Sequence, residues 1–255
     1  MSLPPESVQR FRDGYRAQEV PRGYRGGAHL VFTFGVGSLA LVACLWQLQS
    51  VLPLEWLTVP LALAYANLSE YLGHRFPMHR PFRGLGLVYR RHAGQHHRFF
   101  TDEAMLIDGP RDLRAVLFPP VLVTFFFGLF ATPVWFLLAW LASRNIAWLF
   151  LATGLAYFLN YELLHLAYHL PEENWLARRW LVRRLRWLHR LHHDPRLMAH
   201  ANFNITYPFC DWLFGTLRRQ LAVGVALVHA VMMSVFVFDL VVRQQEVLQA
   251  RQVDE

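Results

Sequence analysis

The stretch WLHRLHHDP (187–195) sets His189, His192 and His193 within five positions. On a helix, offsets of three and four project all three rings from one face. Three more groups accompany them: His74 and His79 in GHRFPMHR, His92, His96 and His97 in RRHAGQHHR, and His165 and His169 in LLHLAYHL. Ten of the 13 histidines fall in these groups; His29, His200 and His229 stand alone. Neutral imidazole is the commonest metal ligand and suits zinc, copper, iron and nickel. One tetrahedral or octahedral ion cannot use ten imidazoles, whereas two ions can. The chemistry these residues point to is that of a histidine-bound metal pair.

Spacing refines the expectation. His165 and His169 lie four apart and share a helical face, and His92 and His96 repeat that spacing. His74 and His79 lie five apart with Pro77 between them. A continuous α-helix separates such a pair by about 140°, so the chain is expected to break at the proline. Glu70 precedes His74 by four residues and Glu162 precedes His165 by three. Each is placed to accept the second ring N–H of its histidine, a contact that fixes the ligand tautomer. Asp194, His200, Asn202 and Asn204 are further candidates for outer contacts, although Asp194 with Pro195 equally reads as the start of a turn.

The elements that must position these groups are apolar. The chain is 255 residues long, 55% hydrophobic and 17% charged, where soluble chains carry roughly a quarter charged residues. A spanning helix needs about 20 mainly apolar residues. Runs 28–48, 52–73, 115–142 and 146–170 qualify, the third with a bend expected at Pro133. Polar, arginine-rich blocks at 74–114 and 171–220 follow the second and fourth runs. The excess of arginine in these blocks and in the N-terminal arm places them in the cytoplasm. The fold expected is all-α: an integral membrane protein with about four transmembrane helices and a cytoplasmic histidine-rich helical cap. Residues 1–27 read as a cytoplasmic, uncleaved arm, 28–220 as the membrane-embedded catalytic domain and 221–255 as an apolar helix with a tail. The run 221–242 is apolar enough to span, but His229 and Asp239 equally suit a docked or interfacial helix.

Other chemistries lack their residues. Cys44 and Cys210 form no CxxC pair, and no glycine pattern completes a dinucleotide or phosphate loop. The net charge of +7 suits anionic lipid headgroups, and nucleic acid is not an expected partner. In WLARRWLVRRLRWLHR (175–190), Arg179, Arg183, Arg186 and Arg190 form one stripe, with Trp180 and Trp187 on another face. That pattern fits a helix lying in the membrane interface with its arginines toward phosphate.

The set H-x4-H, H-x3-HH, H-x3-H and H-x2-HH, followed by NFNITYPFCDWLFGT (202–216), resembles the fatty acid hydroxylase superfamily over about residues 60–218. That superfamily includes sterol desaturases, fatty acid 2-hydroxylases and alkylglycerol monooxygenases. The resemblance implies a di-iron centre that hydroxylates or desaturates a lipid C–H bond with O2. It assigns as ligands His74, His79, His92, His96, His97, His165, His169, His189, His192 and His193. The second box is more often H-x2-HH in that family; the extra residue here shifts His92 by one helical position. No flavin, iron–sulfur or heme module lies in the chain, so electrons must come from a separate donor of cytochrome b5 or ferredoxin type. Zinc also suits the ligands, in a purified sample or in a membrane hydrolase or transporter. A transporter, however, places polar ligands near mid-span, and these lie at span ends. A heme cytochrome needs two to four histidines rather than ten.

Overall fold

The structure, a computed structural model, describes residues 5–218. The run 221–242 and His229 lie outside the described residues. Every regular element described is helical. In chain order these are α1 (Glu6–Gln18), α2 (Gly26–Trp46), a 3-10 turn Pro53–Leu57, α3 (Thr58–Gly73), a π-helical turn His74–Met78, α4 (Gly86–Tyr89), a π-helical segment Arg90–His96, α5 (His97–Phe99), a 3-10 turn Pro110–Asp112, α6 (Leu113–Val116), α7 (Pro120–Phe126), a π-helical turn Phe127–Ala131, α8 (Thr132–Leu141), α9 (Arg144–His169), α10 (Trp180–His192) and α11 (Phe209–Leu213).

Gly26–Trp46, Pro110–Leu141 and Arg144–His169 are long and apolar enough to cross a bilayer. Val31 and Leu39 on α2 and Trp140 on α8 are 71%, 72% and 81% exposed, an outer surface that suits hydrocarbon rather than water. The run 52–73 becomes a 3-10 turn and the 16-residue α3. At about 1.5 Å per residue α3 is about 24 Å long, shorter than the roughly 30 Å hydrocarbon layer. The third run is interrupted twice. Leu117 and Pro119 are extended, and the chain breaks there before α7. The π-helical turn Phe127–Ala131 then leads directly into α8, with Pro133 in its first turn.

α9 is the central element. Ser143 caps it by accepting the Ile146 N–H at 3.1 Å, and Glu55 accepts from Ser143 and from Asn145 at the same corner. α2 packs closely along it. A Cβ at Gly37 would lie 2.6 Å from the Leu159 side chain, and one at Gly26 would lie 1.9 Å from the Pro110 carbonyl oxygen. Glycine is what permits both approaches.

The N-terminal arm is held by α1. Arg12 is 2% exposed; it donates to the Phe99 carbonyl at 2.8 Å and the Ala104 carbonyl at 2.6 Å. Arg16 pairs with Asp112 at 2.8 Å and Asp108 at 2.5 Å. Burying a guanidinium is costly unless its donors are satisfied, and these partners satisfy them. Tyr15 joins Phe99, Phe100, Leu113 and Leu166 in an apolar cluster. The arm therefore braces the loop 99–112 beside the histidines.

Candidate metal centre

Two π-helical turns do what α-helices could not. An i→i+5 turn superposes residues five apart. Across His74–Met78 it brings the Nε2 atoms of His74 and His79 to 3.2 Å, with Pro77 inside the turn rather than at a break. Across Arg90–His96 it aligns His92 with His97, their Nε2 atoms 3.0 Å apart. His92 and His96, expected to act together from one face, are thereby sent to different clusters. α9 supplies His165 and His169, and the last turn of α10 with its C-cap supplies His189, His192 and His193.

All ten histidines are buried. His74, His79, His92, His97 and His192 form one cluster, and His96, His165, His169 and His189 a second; within each, one ligand atom per residue lies within 4.8 Å of the others. His193 lies between the two. Its ring centroid is 4.2 Å from His97 and 4.5 Å from His189, and its Nε2 is 3.2 Å from that of His96 and 3.0 Å from that of His189.

The outer anchors are backbone carbonyls. The Nδ1–H of His74 donates to the Phe203 oxygen. Those of His96, His169, His192 and His193 donate to Ala115, Met105, Ala201 and Phe100 at 2.6–2.9 Å. Each such bond leaves a lone pair on Nε2, directed into the cluster. His79, His97 and His189 carry buried Nδ1 atoms with no partner among the described residues. Burial lowers His79 to about 2, and His96 and His192 to about 4; repulsion between imidazolium charges adds to this for His79 and His96. Protons are thus kept off the rings. The Nε2 atoms of neighbouring rings lie 2.8–3.2 Å apart; between His96 and His193, both with Nδ1–H given to carbonyls, two lone pairs face each other and repel unless a cation lies among them. Two nitrogens at about 2.1 Å from a common ion lie about 3 Å apart. The donor set fits metal.

The carboxylates act one step further out than expected. The Glu70 carboxylate does not bond the His74 ring, although the His74 backbone N–H donates to the Glu70 carbonyl. It accepts the N–H groups of Ile205 and Thr206, the Thr206 hydroxyl at 2.6 Å and the Tyr157 hydroxyl at 2.5 Å. It pins the loop 201–207, whose Ala201 and Phe203 carbonyls orient His192 and His74. Glu162 is fully buried and accepts the Phe118 N–H at 3.2 Å. Asn202 and Asn204 also shape this loop rather than touching the rings. Asn202, left-handed at φ 55°, brackets Arg218, and Asn204 donates to the Asn67 carbonyl at 3.0 Å. Asp194 forms the turn, accepting from the Arg196 backbone and guanidinium. His200 is exposed.

Residues not singled out as site candidates complete the frame. Asp211 accepts the N–H groups of Phe203 at 2.9 Å and Asn204 at 2.7 Å; it opens the DWLFGT run that ends the stretch 202–216. Asn67 donates to the Tyr207 carbonyl at 2.8 Å, and Tyr168 to the Ile205 carbonyl at 2.9 Å. These partners lie tens of residues or more apart in the chain, and no local pattern marks them. Arg186, expected to face phosphate, instead donates to the Ala167 and Leu170 carbonyls at the end of α9, at 2.6 and 2.7 Å.

A cavity of about 40 Å³ opens beside both clusters, where His92, His96 and His165 meet Val88, Phe118 and Leu122. The chain break at 117–119 forms one wall.

A family profile described as fatty acid hydroxylase matches residues 59–216. The chain belongs to the fatty acid hydroxylase family. The matched region contains all ten clustered histidines, the loop 201–207 and Asp211. The solved structure titled full-length Scs7p, with only its hydroxylase domain visible, is similar in fold: TM-score 0.53 at 21% identity, over 75% of this chain and 66% of that one. The chain thus spans just under two thirds of that chain's length. No match was found among curated proteins. As a fatty acid hydroxylase family member with membrane-spanning helices, this is an integral membrane protein of a lipid-acting enzyme family.

Proposed function

We infer that the protein is a di-iron lipid hydroxylase. The observation that carries this is the convergence of ten buried, neutral imidazoles into two clusters joined through His193. In this reading the first cluster holds one iron, the second holds the other, and His193 belongs to the second while touching His97. Bound iron supplies the activation of O2, with the balance R–H + O2 + 2 e⁻ + 2 H⁺ → R–OH + H2O. The residues do the rest. The carbonyls of Phe100, Met105, Ala115, Ala201 and Phe203 fix the ring orientations. Glu70 and Asp211 hold the loop that carries two of those carbonyls. Leu122, Val88 and Phe118 keep water from the cavity and admit an apolar chain beside His92, His96 and His165. The arginine-rich polar blocks place the centre on the cytoplasmic side.

The test is metal analysis followed by O2 consumption with reductant and a lipid extract. Two irons per chain and a product sixteen mass units heavier support the reading. A product two units lighter makes the reaction a desaturation at the same centre. Zinc with no O2 consumption overturns it in favour of a hydrolase.

A further inference from the structure

We propose that the groove between α1 and the π-helical segment Arg90–His96 is the docking surface for an acidic one-electron carrier protein. This rests on the hydroxylase reading, whose reaction consumes two electrons from a donor. The groove measures about 410 Å³ and is lined by Arg10, Phe11, Arg90, Gly94, Gln95 and Arg98, among others. Its rim is basic. Arg90 and Arg98 are exposed, and neither pairs with a carboxylate among the described residues. Arg98 lies 4.4 Å over the Phe11 ring, which holds its charge in a fixed place. Arg10 reaches only Glu6, one turn away on the same exposed face. Glu19 is the one carboxylate in the lining.

The floor is what gives this charge a purpose. Gly94 and Gln95 lie between His92 and His96, one from each cluster. A Cβ at Gly94 would meet nothing within 4 Å, so a partner can approach the backbone of the ligand segment itself. Gln95 is steadied by Arg91 at 3.0 Å and is bonded to His96 by a single peptide link. A carrier seated here lies one peptide link from His96 of the second cluster and two residues from His92 of the first. Two successive one-electron oxidations of the carrier would supply the two electrons of the balance above. The lining offers no exposed large apolar side chain, whereas Phe82, Leu87, Trp180 and Trp187 are exposed elsewhere and suit lipid. A small, polar, charged patch is the usual form of an electron-transfer contact.

The experiment uses the full, iron-loaded protein in phosphatidylcholine nanodiscs, with a plant-type ferredoxin and a soluble cytochrome b5 domain as probes. Dissociation constants are measured for the wild type, for Arg90→Glu/Arg98→Glu and for a control, Arg178→Glu/Arg184→Glu, on exposed positions before and on α10. At least one carrier binds the wild type, at least about ten-fold more weakly in half-molar than in low salt. The groove variant loses at least about ten-fold in affinity and in carrier reoxidation rate, while the control changes less than about two-fold. Iron content and dithionite-driven lipid oxidation stay at wild-type levels in both. Equal carrier affinity in the groove variant, or no binding of either carrier by the wild type, overturns the docking surface. So does a groove variant that loses affinity for phosphatidylserine vesicles alone, which assigns the groove to the membrane. Loss of iron-dependent oxidation from the wild type under dithionite sinks the hydroxylase reading instead, whatever the carriers do.

Discussion

His96 and His193 face each other with Nε2 atoms 3.2 Å apart, and each has already given its Nδ1 proton to a carbonyl. Neither lone pair has a proton to accept from the other, so an ion resolves the contact. His92 brings its Nε2 to 2.8–3.2 Å from those of His74, His79 and His97, and of these rings His74 has its Nδ1 proton held by a carbonyl. His92→Ala is therefore expected to lower iron content from two toward one per chain by elemental analysis, with His200→Ala unchanged. The histidines also set a pH dependence in the metal-free protein. His96 and His192 titrate near 4 when folded against 6.5 in the reference state, so between those values the unfolded chain binds more protons. Stability is then fully present above about 6.5 and is lost as pH falls toward 4. A fall in melting temperature on the order of 5 °C or more between pH 7 and 4.5 is expected by calorimetry, and bound metal should suppress it. Glu70→Ala leaves buried donors of Ile205, Thr206 and Tyr157 unpaired, each worth about 1–3 kcal/mol. It should unfold or strip the protein of metal, whereas Glu70→Gln keeps part of the network and an intermediate metal content.

The π-helical turns decide which histidines meet. An α-helix over 90–97 would keep His92 and His96 on one face, as their spacing suggests; the extra residue of H-x3-HH is taken up by the wider turn, and His92 joins His97 instead. Deleting Gly94 sets His92 and His97 four apart, where an α-turn superposes them as the π-turn does here. Iron is expected to stay at about two per chain by elemental analysis, with helical content by circular dichroism unchanged. The histidine groups were legible because residue type and spacing are local. Their partition was not, since a π turn is stabilised by what packs around it and leaves no periodic mark. The loop 201–207 was legible only as a resemblance. Its fixing by Glu70 joins residues about 135 positions apart, which no sequence window contains.

At the scale of the molecule, hydropathy located the apolar runs, because exclusion of charge over about 20 residues is a strong signal. It did not locate the break at 117–119, nor the anchoring of buried Arg12 and half-buried Arg186 on carbonyls. An arginine's composition is the same whether its donors meet water or backbone. These arginines tie the arm and α10 to the loops around the histidines, so the cap and the membrane helices are expected to melt together rather than in sequence. The most direct measurement is the position and number of bound ions: anomalous diffraction at the iron edge from the purified, iron-loaded chain. Two iron peaks are expected, one among His74, His79, His92, His97 and His192 and one among His96, His165, His169, His189 and His193. A single peak, peaks outside these clusters, or rings turned apart with no iron among them would contradict it.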